Sequence, residues 1–198
     1  MTFGADPLWR INPHGAVAVR RYKILDSYWK FKKGQSDLIA AVDGAWGLAK
    51  DLNYNGGIGG YLQEPSGKMV MVFSGPSNSK NAVETEVDAI LYVIDWVIKL
   101  NLVQMRTVIC SDSSVAVNAF NEGIYIKFPL KAMEFKHQFL INSKIFVQFV
   151  PRYLNEQADD LAKKGMARPI MKTQLVGSGN SGENPEVHQA AVSSSCQC

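Results

Sequence analysis

The run LIAAVDGA at residues 38–45 constrains the fold more than any other stretch. It is too short for a helix of ordinary length and nearly continuous in apolarity, the pattern of a central strand buried on both faces. A single carboxylate, Asp43, interrupts it. The following segment, GGIGGYLQEPSGKMVMVFSG (56–75), reads as two strands joined by a Pro-Ser-Gly turn, so residues 38–75 are expected to form a three-stranded antiparallel meander. The glycines of GGIGG do not mark a dinucleotide site, because that fingerprint leads from a strand into a helix and here a hairpin follows. Close strand packing explains them better.

A helix is predicted from Ala82 to Leu100, since Val83, Val87, Ile90, Ile94 and Val97 recur at the three-and-four spacing of one buried face. At about 100° per residue Glu86 falls beside Ile90, Val93 and Val97, whereas Glu84, Asp88 and Asp95 fall on the other, solvent-facing flank. RTVIC (106–110) is a short strand with Asp112 just beyond its end, and Ser113 or Ser114 is placed to cap a helix running through Phe120. The alternation of strand and helix from here predicts parallel additions to the meander, whose strands carry ligand sites at their carboxyl ends. PLKAMEFKHQFLINS (129–143) reads as a further helix and KIFVQFV (144–150) as a strand. Asn155 then caps a last helix that turns Ala158, Leu161, Ala162 and Gly165 inward. Asp159 flanks that inward stripe, and Asp160 points nearly opposite.

Charge separates this region from its flanks. Residues 1–35 hold seven Lys/Arg against two Asp/Glu, residues 36–168 thirteen against fourteen, and residues 169–198 one against two. The expected organisation is therefore an irregular basic leader (1–35), a single domain (36–168) and a disordered polar tail (169–198). The leader's RRYK and WKFKK, with Trp29 and Phe31, suit a solvated linker or a grip on nucleic acid. Three cysteines form neither a disulfide framework nor a zinc spacing, and there is neither an apolar run of membrane-spanning length nor a secretory signal pattern. The expectation is a soluble intracellular protein, with nucleus or cytoplasm left open.

Asp43, Glu86, Asp112 and Asp159 thus stand in or beside buried elements. Like charges gathered in a partly buried place repel, and either protons or a cation must offset them. Carboxylate oxygens without His or Cys favour a hard ion, Mg²⁺ with Mn²⁺ as a substitute. Two such ions about 4 Å apart suit in-line phosphodiester displacement.

The order of elements, with acids in VDGA, in E-x-x-A on the first helix, in SDS and in the final N-x-x-A-D-x-L-A, resembles the ribonuclease H family. It looks most like the plant reverse-transcriptase-like branch derived from non-LTR retroelements. The match spans about residues 38–168, and Arg152, Asn155, Ala158, Asp159, Leu161 and Ala162 fit the family's R-x-x-N-x-x-A-D-x-L-A. The resemblance implies an α/β fold with a five-stranded mixed sheet (antiparallel strands 1–3, then parallel strands 4 and 5) flanked by helices. It implies endonucleolytic cleavage of the RNA strand of an RNA–DNA hybrid, with Asp43, Glu86, Asp112 and Asp159 as catalytic metal ligands for two Mg²⁺ ions. Glu86 would also lie near the RNA 2′-hydroxyl, the group by which the strands differ. Asn55, Arg152 and Asn155 would contact substrate, and a fused or lost reverse transcriptase module is an implied partner.

The sequence departs from the family in three ways. No histidine occurs in QFVPRYLNEQ before the last helix, since His14, His137 and His188 all lie elsewhere. The stretch from Phe120 to Ser143 lacks the strongly basic handle of bacterial enzymes. The turn after the first strand is WGLAKDLNYNGG instead of Asn-Pro-Gly. The missing histidine and handle favour a domain that binds nucleic acid without cutting it, whereas retention of all four acids favours the enzyme. An integrase- or resolvase-type nuclease is the third reading, and no dedicated DNA-binding segment supports it.

Overall fold

The structure is a computed structural model and describes residues 36–47, 56–122 and 144–176. The leader, Asn55, the helix expected at 129–143 and the chain beyond Val176 lie outside the described residues. The elements in order are β1 (Leu38–Trp46), β2 (Gly56–Gln63), β3 (Met69–Ser77), α1 (Ala82–Lys99), β4 (Thr107–Ser111), α2 (Ser114–Glu122), β5 (Ile145–Phe149), a 3₁₀ turn (Arg152–Leu154), α3 (Glu156–Met166) and β6 (Lys172–Leu175). They build one mixed sheet in the order β5-β4-β1-β2-β3-β6. The meander β1-β2-β3 is antiparallel, and β4 and β5 add in parallel beside β1, as the sequence predicts.

The sheet has six strands where five were expected. β6 pairs antiparallel with the free edge of β3, from Met71↔Leu175 to Ser74↔Lys172. It falls inside the stretch read as a disordered tail, because KTQL has no apolar pattern to announce a strand. Its order comes from backbone pairing with an open edge and from the Thr173 hydroxyl, which hydrogen-bonds the Tyr92 hydroxyl of α1 at 2.6 Å.

β1 is buried on both faces because helices cover both. Leu38, Ala40 and Val42 join Ile58, Leu62, Met71 and Phe73 against Val87, Ile90, Ile94 and Val97 of α1. Ala41, Tyr61 and Val72 on the opposite face meet Ala158 and Leu161 of α3. Each Val, Leu, Ile, Met or Phe among them removed from water stabilises the fold by about 1.5–3 kcal/mol. The period-2 alternation of β1 places Asp43 on the α3 face and Gly44 on the α1 face.

Two glycine positions set how closely the helices lie. A Cβ on Gly44 would stand 2.4 Å from the backbone nitrogen of Glu86 and 2.5 Å from the Thr85 carbonyl carbon. A Cβ on Gly59 would stand 2.3 Å from the backbone nitrogen of Ala162. Gly44 of VDGA and Gly57 and Gly59 of GGIGG are therefore contact surfaces for helix backbones, whereas Gly60 serves the strand packing expected of the run, against the Ala41 carbonyl and the Phe73 ring. Among the described residues, no helix is long and apolar enough to cross a membrane.

Candidate active site

Parallel pairing of β1 with β4 brings the first two acids together. The register ends at Ala41↔Cys110, so Asp43 and Asp112, each two residues further on, emerge side by side at the carboxyl ends of adjacent strands. Asp43 is 4% exposed. Glu86 arrives from the first turns of α1, pressed onto β1 by the absence of a side chain at Gly44. The α1 N-terminus is fixed by Asn81, whose Oδ1 accepts from the Glu84 backbone N–H at 2.9 Å. The carboxylate of Glu86 accepts from the Gly44 backbone N–H at 3.2 Å and from the Ser111 hydroxyl at 3.4 Å.

One carboxylate oxygen from each of Asp43, Glu86 and Asp112 lies within 4.8 Å of the others. Three segments separated by dozens of residues thus converge on one point. Asp159 is not part of that close group. Its oxygens accept from the Arg152 guanidinium at 3.3 Å and from the Lys163 ammonium, so it stands at the rim in a pair of ion contacts. It is close enough for its charge to raise the pKa of Asp43. Asp160 is exposed, as the helical phase predicts.

Electrostatics confirm that the cluster is uncomfortable on its own. Burial first, then the negative charge of Glu86 and the hydrogen bond and charge of Asp112, push the Asp43 carboxyl up to about 9. Burial, then the charge of Asp112, push Glu86 up to about 8, against the opposing pull of the Gly44 N–H and the Ser111 hydroxyl. An all-oxygen donor set with this much unrelieved charge fits a hard divalent cation. Asp43, Glu86 and Asp112 are the residues placed to hold one.

Two of the expected substrate contacts fall within the described residues. Arg152 is largely exposed beside Asp159. Asn155 is 1% exposed, and its amide faces inward. The Nδ2 group donates to the Val42 carbonyl at 2.9 Å and, at 3.4 Å each, to Asp43 Oδ1 and Asp112 Oδ1. It occupies the N-cap position of α3 yet makes no side-chain capping bond, because the site draws the amide across to β1. Sequence reasoning also passed over Ser111 and the backbone of Gly44 as partners of Glu86. Alternation along β4 marks Ser111 as facing away from Asp112's neighbours, but its contact with a helix 25 residues earlier has no local signature.

Comparison with known proteins agrees with this architecture. The chain is similar in fold to a ribonuclease H1 isolated from compost by a metagenomic approach, with 19% identity over 67% of this chain and 96% of that one and a TM-score of 0.50. It is similar to ribonuclease H1 of the halophilic archaeon Halobacterium salinarum, at 19% identity over 65% and 96% with a TM-score of 0.52. A foamy viral protease-reverse transcriptase, whose structure was solved in complex with an RNA/DNA hybrid, matches at 16% identity over 68% of this chain and 20% of that one, with a TM-score of 0.52. No curated protein matches in sequence. The family profile described as reverse transcriptase-like matches residues 41–165, which begins inside β1, ends inside α3 and takes in all four acids. With well over half its length under that profile and a ribonuclease H-like sheet beneath the acids, the chain belongs to the reverse transcriptase-like family.

Proposed function

We propose that the chain is a metal-dependent endonuclease that cleaves the RNA strand of RNA–DNA hybrids, leaving a 5′-phosphate and a 3′-hydroxyl. The observation that carries this reading is the convergence of Asp43, Glu86 and Asp112 within 4.8 Å at the carboxyl ends of β1 and β4. Asp43, Glu86 and Asp112 would hold divalent cations, with Asp159 contributing from the rim. Mg²⁺ is the expected ion and Mn²⁺ a substitute. Such cations, when bound, polarise the scissile phosphate and lower the pKa of the attacking water.

The chain's own residues supply the rest. Gly44 and Ser111 fix the rotamer of Glu86, keeping one carboxylate oxygen turned toward Asp112. In this reading Glu86 also reads the 2′-hydroxyl, which would restrict cleavage to RNA. Arg152 and Lys163, both exposed, form the cationic rim that would meet backbone phosphates. The plant, retroelement-derived branch that the motifs resemble, and an association with a reverse transcriptase module, belong to this same proposal.

A second reading has one observation in its favour. Asp159 is engaged by Arg152 and Lys163 instead of joining the other acids, as in a domain that keeps the fold and binds nucleic acid without cutting. A labelled RNA–DNA hybrid separates the two. Cleavage in Mg²⁺ or Mn²⁺, abolished by Asp43→Asn or Asp112→Asn, supports the nuclease. Hybrid binding without cleavage at micromolar protein overturns it, and cleavage of duplex DNA points to the integrase-type alternative.

A further inference from the structure

The Asn155 side chain sits deeper than a substrate contact can. It is 1% exposed, stands at the start of α3 and sends its NH₂ group toward three acceptors on two other elements, Val42 and Asp43 of β1 and Asp112 after β4. The orientation of the amide follows from its surroundings, since the Val42 carbonyl only accepts and each acid presents an oxygen that can accept. The amide oxygen, buried on the other side, has no hydrogen-bond partner among the described residues. An orphaned buried acceptor costs about 1–3 kcal/mol, and an asparagine at an N-cap normally gains stability by capping, which this one forgoes. For stability alone the arrangement is a poor one. What it provides is a fixed donor between two carboxylates.

We propose that Asn155 is a positioning residue that holds Asp43 and Asp112 in the mutual geometry a cation requires. This rests on the reading of the acid cluster as a metal site, and it gives the chain a way to keep the two carboxyl groups convergent before any cation arrives. With one N–H on the Val42 carbonyl, the other is shared between Oδ1 of Asp43 and Oδ1 of Asp112, so a single donor faces both acids. It also ties α3 to the site, since the Asn155 carbonyl accepts from the Asp159 backbone N–H at 3.0 Å. The amide that orients the inner acids thus begins the helix that carries the outer one. Partners that orient metal ligands typically contribute about 10- to 100-fold in affinity.

The test compares the full chain with Asn155→Ala, Asn155→Leu and Ser74→Ala. Ser74 is a buried residue away from the acids, whose hydroxyl donates to the Leu161 carbonyl of α3 at 2.7 Å, so Ser74→Ala loosens the same helix without touching the cluster. Mn²⁺ binding is measured by calorimetry, without nucleic acid. The expected result is affinity lower by about tenfold or more in both Asn155 variants and unchanged in Ser74→Ala. Asn155→Leu separates the roles, because it restores volume and removes the orphaned oxygen but offers no donor. Wild-type affinity in Asn155→Leu overturns the inference. A second measurement needs no metal. In chelator, the Asn155 side-chain NH₂ resonances should be protected from solvent exchange and should shift in both Asp43→Ala and Asp112→Ala. Resonances indifferent to both substitutions overturn the proposal. If the wild type binds no Mn²⁺, the nuclease reading fails, and the resonance measurement still decides whether Asn155 holds the two acids.

Discussion

Replacing Asp43 by Asn should stabilise the metal-free protein, and the structure sets the size of the effect. The carboxyl is buried and titrates near 9, against 3.8 for an unhindered aspartate. Between those two values the folded state retains a proton that the unfolded state has released, so stability falls as pH rises through the window. It is at its greatest below about pH 4, where both states are protonated. The slope for one proton is about 1.4 kcal/mol per pH unit. From about pH 5 to about pH 8 the wild type should therefore lose up to about 4 kcal/mol through this group, and relaxation and sharing of the proton with Glu86 reduce that to about 2–4 kcal/mol. An amide has the same shape, can still accept from Asn155 and carries no charge. In chelator at about pH 8, Asp43→Asn should melt roughly 5–15 °C above the wild type, and near pH 5 the difference should shrink to a few degrees. Millimolar Mg²⁺ should raise the wild-type melting temperature and leave the variant nearly unmoved. The assay is thermal unfolding by circular dichroism across pH, with and without Mg²⁺. A variant no more stable than the wild type at pH 8, or a difference that does not change with pH, refutes the account of a strained acid cluster.

Gly44→Ala should destabilise the fold by about 3 kcal/mol or more, because the new methyl meets backbone atoms of Thr85 and Glu86 and only a displacement of α1 relieves it; denaturant unfolding measures the loss, and metal affinity should fall with it. Ser111→Ala removes a hydroxyl that stabilises the charged form of Glu86, so the Glu86 pKa should rise further and half-maximal metal binding should move to higher pH, at a stability cost of about 1 kcal/mol. Lys163→Ala breaks an exposed contact with Asp159, so stability should change by less than about 1 kcal/mol while hybrid affinity weakens and its dependence on salt becomes shallower. Asp37→Asn removes the exposed ion pair with Arg106 beside β1 and should leave the denaturant midpoint nearly unchanged.

The parts of this fold that were legible in the sequence are those where burial follows a period. The run at 38–45 read as a doubly buried strand because nearly all of its side chains must leave water, and α3 read correctly because Ala158, Leu161, Ala162 and Gly165 repeat at helical spacing. The same phase placed Glu86 toward the sheet. β6 was illegible for the converse reason: its residues stay half exposed or exposed, and its partner is an edge about a hundred residues earlier. No local pattern encodes the pairing of a polar strand with a distant free edge.

Asn155 shows a subtler limit. An asparagine ahead of a helix is read as a cap, and one that fits a family's motif as a substrate contact, and both readings assume that the side chain answers to its own neighbourhood. Here the nearest acceptors belong to β1 and to the turn after β4, more than forty residues away, and they take the amide from the helix it begins. The glycines explain how such distant groups come within reach. Without side chains at Gly44 and Gly59, α1 and α3 settle directly on opposite faces of the sheet, and the carboxylate of Glu86 and the amide of Asn155 reach the ends of β1 and β4 from two sides. The acids supply the chemistry that the sequence announces. The residues with the smallest side chains decide whether those acids can meet, so Gly44→Ala should impair metal binding even though it leaves every carboxylate in the chain.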